Sequence, residues 1–223
     1  MSRSVCILLV AGIWTFFGCS RIPPEKESVR ETAASPVTQD KDGRPLIVAF
    51  GDSLTAGAGV NPAQNYPSKL QAKIDAAGYR YRVLNAGVSG DTSSQGLGRV
   101  PALRKLQPRI AIVELGANDG LRGFPVETTR RNLAAIVSGF QSMGAKVLVA
   151  GMEMPPNYGP QYTSSFRNVF SSVAREFHAA LIPFFLEGVG GHPDLNQDDG
   201  IHPTAAGYDI VVENVWKVLR PML

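Results

Sequence analysis

Five short apolar runs, each separated from the next by a longer amphipathic stretch, constrain this chain more than any other feature. Leu46–Phe50, Tyr81–Val88, Ile110–Leu115, Lys146–Gly151 and Leu181–Phe184 are rich in apolar and β-branched residues and are short, so they read as buried strands. Between them Tyr66–Ala77, Ser94–Leu106, Thr128–Met143 and Tyr162–His178 read as helices, and a last helix lies near Ala205–Leu219. Strands that alternate with helices pair in parallel, because parallel pairing needs crossovers, and right-handed crossovers place helices on both faces. The expected fold is therefore α/β, with three layers α/β/α around a five-stranded parallel sheet. Such sheets bind ligands at the carboxyl ends of their strands. Three polar, glycine-rich loops fall there: Gly51-Asp52-Ser53, Gly87 to Thr92, and Gly116 to Asp119.

The alternation begins only at Leu46, and what precedes it is of two kinds. Arg3 followed by the uncharged apolar run Val5–Phe17 reads as a signal peptide over residues 1–18. The run is shorter than the roughly 20 apolar residues of a permanent membrane span. Its end, Phe16-Phe17-Gly18-Cys19, resembles a bacterial lipobox; Gly18 and Cys19 match, while Leu and a small residue are usual where the two phenylalanines stand. The resemblance makes Cys19 a lipidation site and gives the protein an N-terminal membrane anchor. Ser20 offers no aspartate-type retention signal, so a periplasm-facing outer-membrane lipoprotein is expected, with a soluble periplasmic protein as the alternative. Residues 20–44 hold Pro23, Pro24, Pro36, charges and hydroxyls but almost no large apolar side chains, so 19–44 reads as a lipidated cysteine and tether. One domain over 45–223 remains. Both cysteines, Cys6 and Cys19, lie before it, so no disulfide is expected within it. The 22 Lys+Arg and 19 Asp+Glu are interspersed, which argues against a nucleic-acid partner.

Two segments carry chemistry. In G-D-S-L-T-A-G, Ser53 stands at a strand-to-helix turn, where it can face the cleft as a nucleophile or simply cap the next helix. Thr55, two residues on, breaks the G-x-S-x-G elbow of α/β-hydrolases. In D-D-G-I-H-P, just before the last helix, a carboxylate and His202 share a short loop, and Pro203 keeps His202 out of helical geometry. A carboxylate on one imidazole nitrogen leaves the other free to take a serine proton. Spacing admits either Asp198 or Asp199, and Asp199 could instead cap the helix with His202 only a surface loop residue. His178 ends an amphipathic helix and His192 lacks an obvious acidic neighbour, so His202 is the preferred base. Gly90 and Asn118 can donate hydrogen bonds to an oxyanion or can serve only as turn residues. Met154 and Tyr158, in the loop Met152–Gly159 after the fourth strand, can wall an acyl site or merely connect. No metal and no cofactor is required.

These segments together resemble the SGNH (GDSL) hydrolase superfamily. The resemblance covers most of residues 46–220 and rests on G-D-S-L at 51–54, S-G-D-T at 89–92, G-A-N-D at 116–119 and D-G-I-H-P at 199–203. It implies a flavodoxin-like sheet, a Ser53–His202–Asp199 triad with Asp199 chosen over Asp198, and an oxyanion hole of the Ser53 and Gly90 N–H groups with the Asn118 amide. G-D-T-S-S-Q-G-L at 90–97, V-E-L-G-A-N-D-G-L-R-G-F at 113–124 and Q-D-D-G-I-H-P at 197–203 are similar to the bacterial thioesterase I/lysophospholipase/arylesterase branch. Ala117, where that branch commonly has glycine, and the lipobox and tether depart from it. The expected activity is that of a serine esterase without a cofactor, acting on small-molecule acyl esters or thioesters through an acyl-enzyme, as a monomer. A carbohydrate O-deacetylase and a catalytically silent envelope lipoprotein are the competing expectations.

Overall fold

The computed structural model describes residues 43–223. The residues expected to form a signal peptide (1–18), Cys19 and all but the end of the expected tether lie outside the described residues. β1 (Leu46–Gly51), β2 (Arg82–Gly87), β3 (Ile110–Glu114), β4 (Lys146–Ala150) and β5 (Ala180–Ile182) form one sheet in the order β2-β1-β3-β4-β5, every pair parallel. The chain winds first to one side of β1 and then to the other, so β1 and β3 flank the point where strand order reverses. That is where a crevice opens in such sheets. Register sharpens this: Gly51 pairs with Gly87 on one side and Glu114 on the other, so three strands end level.

The helices are α1 (Ser53–Ala56), α2 (Tyr66–Ala76), α3 (Ser93–Arg99), α4 (Ala117–Leu121), α5 (Val126–Gln141), α6 (Pro160–Glu176) and α7 (Ala205–Leu219). α2 packs on α7, while α3, α5 and α6 form a second row. Crossovers of one hand running in opposite directions from β1 put these rows on opposite faces. All of β1 and β3 is buried, as the continuous apolar runs require of central parallel strands. Phe50 meets Phe140 edge-on at 5.2 Å, and Tyr66 meets Phe185 likewise at 5.2 Å. Truncating one of these fully buried side chains, for example Ile112→Ala, is worth about 2–5 kcal/mol. Among the described residues no helix is long and apolar enough to cross a membrane.

The expected elements are present, with boundary differences that have local causes. The helix expected over Ser94–Leu106 is α-helical only through Arg99 and continues as a 3-10 turn over Val100–Leu106, where Pro101 removes an N–H donor. Its start is fixed by a capping box in which Thr92 and Gln95 exchange hydrogen bonds. The last strand ends at Ile182 instead of Phe184 because Pro183 cannot donate to a ladder. The short helices α1 and α4 were not among the expected elements; at four and five residues they carry no helical periodicity.

Candidate active site

The nucleophile turn is built from β1. Asp52, fully buried, caps α1 by accepting the Leu54 N–H at 3.1 Å, and Ser53 is the first residue of the helix. Four residues make a helix too short to hold itself, and other elements hold it. The buried Tyr208 hydroxyl donates to the Leu54 carbonyl at 2.9 Å, and the Asn85 amide donates to the Thr55 carbonyl at 2.9 Å. Beneath it, Thr55 Oγ1 lies 2.7 Å from Oε2 of Glu114, a fully buried carboxyl. Burial pushes Glu114 well above the carboxylate range, and neighbouring Asp52 adds to this. Asp52 is itself pushed up to about 6, chiefly by burial and against the hydrogen bonds from Leu54 and Asn118.

The acid–base loop is a separate piece of chain, closed by Gln197 N–H donating to the His202 carbonyl at 2.8 Å. Within it, Asp199 Oδ1 accepts the N–H groups of Ile201 and His202, each at 3.0 Å, and Oδ2 lies 2.7 Å from His202 Nδ1. Those bonds, the imidazole contact first, hold the Asp199 carboxyl down at about 2. An ionised carboxylate can only accept, so Nδ1 carries the proton and Nε2 is left as a base. Nε2 stands 2.9 Å from Ser53 Oγ. Asp198 is exposed and makes no such contact, so tertiary geometry selects Asp199. Neither His178 nor His192 lines the cavity.

The two pieces are joined by Gln197, which reasoning from the sequence passed over. Its amide nitrogen donates to the Ala58 carbonyl at 2.8 Å, just past α1, and to the Pro203 carbonyl at 3.0 Å. Gly59 permits that approach, since a Cβ there would sit 1.9 Å from Gln197 Oε1. The only sequence signal was the position of Gln197 inside the Q-D-D-G-I-H-P string.

Gly90 and Asn118 reach the same place from the next two strands. Gly90 has φ 84 in a turn closed by Asp91 N–H to the Val88 carbonyl at 3.2 Å. A Cβ at Gly90 would meet nothing within 4 Å, so the backbone angle and not crowding calls for glycine. Among the described residues the N–H groups of Ser53 and Gly90 donate to no protein acceptor. Asn118 Nδ2 donates to the Asp91 carbonyl at 3.0 Å and to Asp52 Oδ2 at 3.2 Å. Arg122 donates to the Gly90 carbonyl at 3.1 Å from outside.

Ser53, Gly90, Asn118 and His202 all line one cavity of about 530 Å³. Its remaining walls are mainly apolar and include Leu121, Met152, Met154, Phe184, Leu186 and Ile201. Met154 is thus where an acyl wall was expected. Tyr158 is not: its hydroxyl donates to the Leu121 carbonyl at 2.9 Å and its ring stacks on Tyr162, so it braces the wall from behind.

A parallel α/β/α sheet that lines up a hydroxyl, an imidazole and a carboxylate over an apolar cavity at its switch point defines a serine ester hydrolase. The comparisons agree: the model of the GDSL-like Lipase/Acylhydrolase family matches residues 49–210. "Esterase TesA" of Pseudomonas aeruginosa is 45% identical over 188 residues, covering 84% of this chain and 93% of that protein. "Thioesterase 1/protease 1/lysophospholipase L1" of Escherichia coli is 39% identical over 178 residues, covering 79% and 84%. The crystal structure of TesA superposes with a TM-score of 0.78 at 46% identity, covering 81% of this chain and all of that one. The chain belongs to the GDSL-like lipase/acylhydrolase family.

Proposed function

We propose that this enzyme hydrolyses esters and thioesters of linear acyl groups, with Ser53, His202 and Asp199 as its catalytic triad. The observation that carries the reading is the 2.9 Å contact from Ser53 Oγ to His202 Nε2, backed by the 2.7 Å contact to Asp199 and opening on an apolar cavity. Ser53 Oγ attacks the acyl carbon and gives its proton to His202 Nε2. The oxyanion is held by the N–H groups of Ser53 and Gly90 and by Asn118 Nδ2, which gives up its longer bond to Asp52. Collapse expels the alcohol or thiol with the proton from His202. Water, deprotonated by the same nitrogen, then attacks the acyl-enzyme and releases the acid.

The apolar lining favours aliphatic acyl groups over sugars, and the names of the relatives point the same way. Each methylene buried there contributes about 0.8 kcal/mol, or roughly fourfold in kcat/KM, until the wall is reached. The test is a series of p-nitrophenyl esters and acyl-CoA thioesters with Ser53→Ala and fluorophosphonate labelling alongside. Loss of turnover and of label in Ser53→Ala is expected; retained turnover, or preference for acetylated xylan over aliphatic esters, overturns the reading. The lipobox-like Gly18-Cys19 supports an envelope lipoprotein facing the periplasm. Palmitate incorporation lost in Cys19→Ser tests that, and no incorporation by the parent refutes it.

A further inference from the structure

We propose that Arg99 is a positioning residue that fixes the loop bearing Gly90 relative to the turn bearing Ser53. The inference rests on the oxyanion role proposed above for the Ser53 and Gly90 N–H groups and Asn118. Arg99 is the last residue of α3, and each nitrogen of its guanidinium serves a different piece of chain. Nε donates to Asp91 Oδ2 at 2.6 Å, Nη1 to the Ala86 carbonyl at 2.8 Å and Nη2 to the Gly51 carbonyl at 2.9 Å. The guanidinium carbon lies 4.3 Å from the centroid of the Phe50 ring, which supports the fork from β1.

One side chain thereby ties the end of β1, the end of β2 and the loop between β2 and α3. Two of the three ties, at Gly51 and Asp91, are one or two residues from an oxyanion donor, and the third, at Ala86, holds the end of β2 that leads into the Gly90 loop. Gly51 precedes the Asp52-Ser53 pair, and its carbonyl accepts the Val88 N–H at 3.1 Å as well as Arg99. Asp91 follows Gly90; its carboxylate takes Arg99 while its main-chain carbonyl takes Asn118 at 3.0 Å. Arg99, Asp91 and Asn118 therefore form a continuous line behind all three donors. The Arg99 and Asp91 side chains are 26% and 9% exposed, so salt screens their pairing weakly. Arg99 does not line the cavity, so it has no means of binding substrate directly.

Oxyanion donors act only within about 2.7–3.1 Å of the developing charge, and a misplacement of about 1 Å can cost roughly 10²-fold. Two loops from different strands have no covalent reason to keep that spacing. A planar fork with three directed donors supplies one, and a lysine ammonium, a compact point charge, does not.

The experiment compares the purified parent with Arg99→Met, Arg99→Lys, Asp91→Asn, Asn118→Ala and the Arg99→Met/Asp91→Asn double variant. It reads kcat and KM on p-nitrophenyl butyrate, Ki for an alkylboronic acid that adds to Ser53 as a tetrahedral anion, and Tm. Both Arg99 variants are expected to lower kcat about 10–100-fold with KM within about threefold, and to raise the boronate Ki in parallel. Asp91→Asn should do the same about tenfold, and the double variant should be no worse than Arg99→Met. A boronate Ki within twofold of the parent for Arg99→Met overturns the assignment, whatever happens to Tm. Should Arg99→Met fail to fold, Asp91→Asn decides by the same criterion. Asn118→Ala separates the two readings: if it too leaves Ki unmoved, the oxyanion site itself is wrong, and if it alone raises Ki, only the role of Arg99 fails.

Discussion

Replacing Asp199 with asparagine isolates one atom of the proposed mechanism. Asp199 Oδ1 accepts the Ile201 and His202 N–H groups at 3.0 Å, and asparagine keeps an oxygen for both, so the loop should hold its shape. The change falls on the other atom, 2.7 Å from His202 Nδ1, where an acceptor becomes an NH₂ donor. Facing a donor, Nδ1 must become the acceptor, and the single proton of neutral imidazole moves to Nε2. Nε2 then points a hydrogen at Ser53 Oγ across 2.9 Å and can no longer accept the serine proton. In serine proteases the corresponding change lowers kcat by about 10⁴, or about 5.5 kcal/mol in the barrier, and a loss of that order is expected here. The assay is single-turnover and steady-state hydrolysis of p-nitrophenyl esters, with Tm measured in parallel because Asp199 is half exposed and contributes little to folding. A rate within tenfold of the parent, with Tm unchanged, would refute the tautomer argument and remove Asp199 from the triad.

Three further outcomes are expected. Gln197→Ala should lower kcat about tenfold by freeing the acid–base loop from the Ala58 carbonyl; Gln197→Glu, which has no hydrogen to donate there, should lose at least as much, and a fully active Gln197→Glu would refute the clamp. Met154→Ala should shift the preferred acyl length upward by one to three methylenes and cost about tenfold on the parent's best ester, whereas an unaltered chain-length profile would remove Met154 from the acyl wall. Asp52 has an ordinary carboxyl value of 3.8 unfolded and about 6 folded, so its contribution to stability is complete below pH 3.8 and is lost as pH rises towards 6, by about 3 kcal/mol. Glu114, also raised, acts in the same direction, while Asp199, lowered to about 2, acts oppositely and only below about pH 4. Urea unfolding from pH 4 to 7 reads this, and a slope that Asp52→Asn leaves unchanged would contradict it.

The strands and the five long helices were legible because burial leaves a periodic mark on sequence: β1 and β3 are buried throughout and read as unbroken apolar runs. The candidate donors and acceptors were legible because glycine-rich loops follow those runs at the edge where ligands bind. Ser53, Gly90, Asn118 and His202 could be named from that pattern and the family resemblance. What held them in relation to one another could not. Arg99 sits in an ordinary amphipathic helix and Gln197 in a polar loop, and a side chain that acts through hydrogen bonds to distant carbonyls has no period to betray it. Tyr158 failed in the other direction: its residue type suits an acyl wall, but the fold turns its hydroxyl to the Leu121 carbonyl.

By itself, then, the sequence determined the order of elements, the edge of the sheet that carries the chemistry and the residue types found there, since each follows from local composition and short-range spacing. Spacing left Asp198 and Asp199 open and only the family resemblance preferred Asp199; the tertiary structure supplied the contacts themselves, Asp199 Oδ2 at 2.7 Å from His202 Nδ1 and Ser53 Oγ, 149 positions away, at 2.9 Å from Nε2, with Gly90 at positive φ. Those outcomes depend on the level register of β1, β2 and β3 and on how one loop packs against another, and both are set by contacts between residues far apart in the chain.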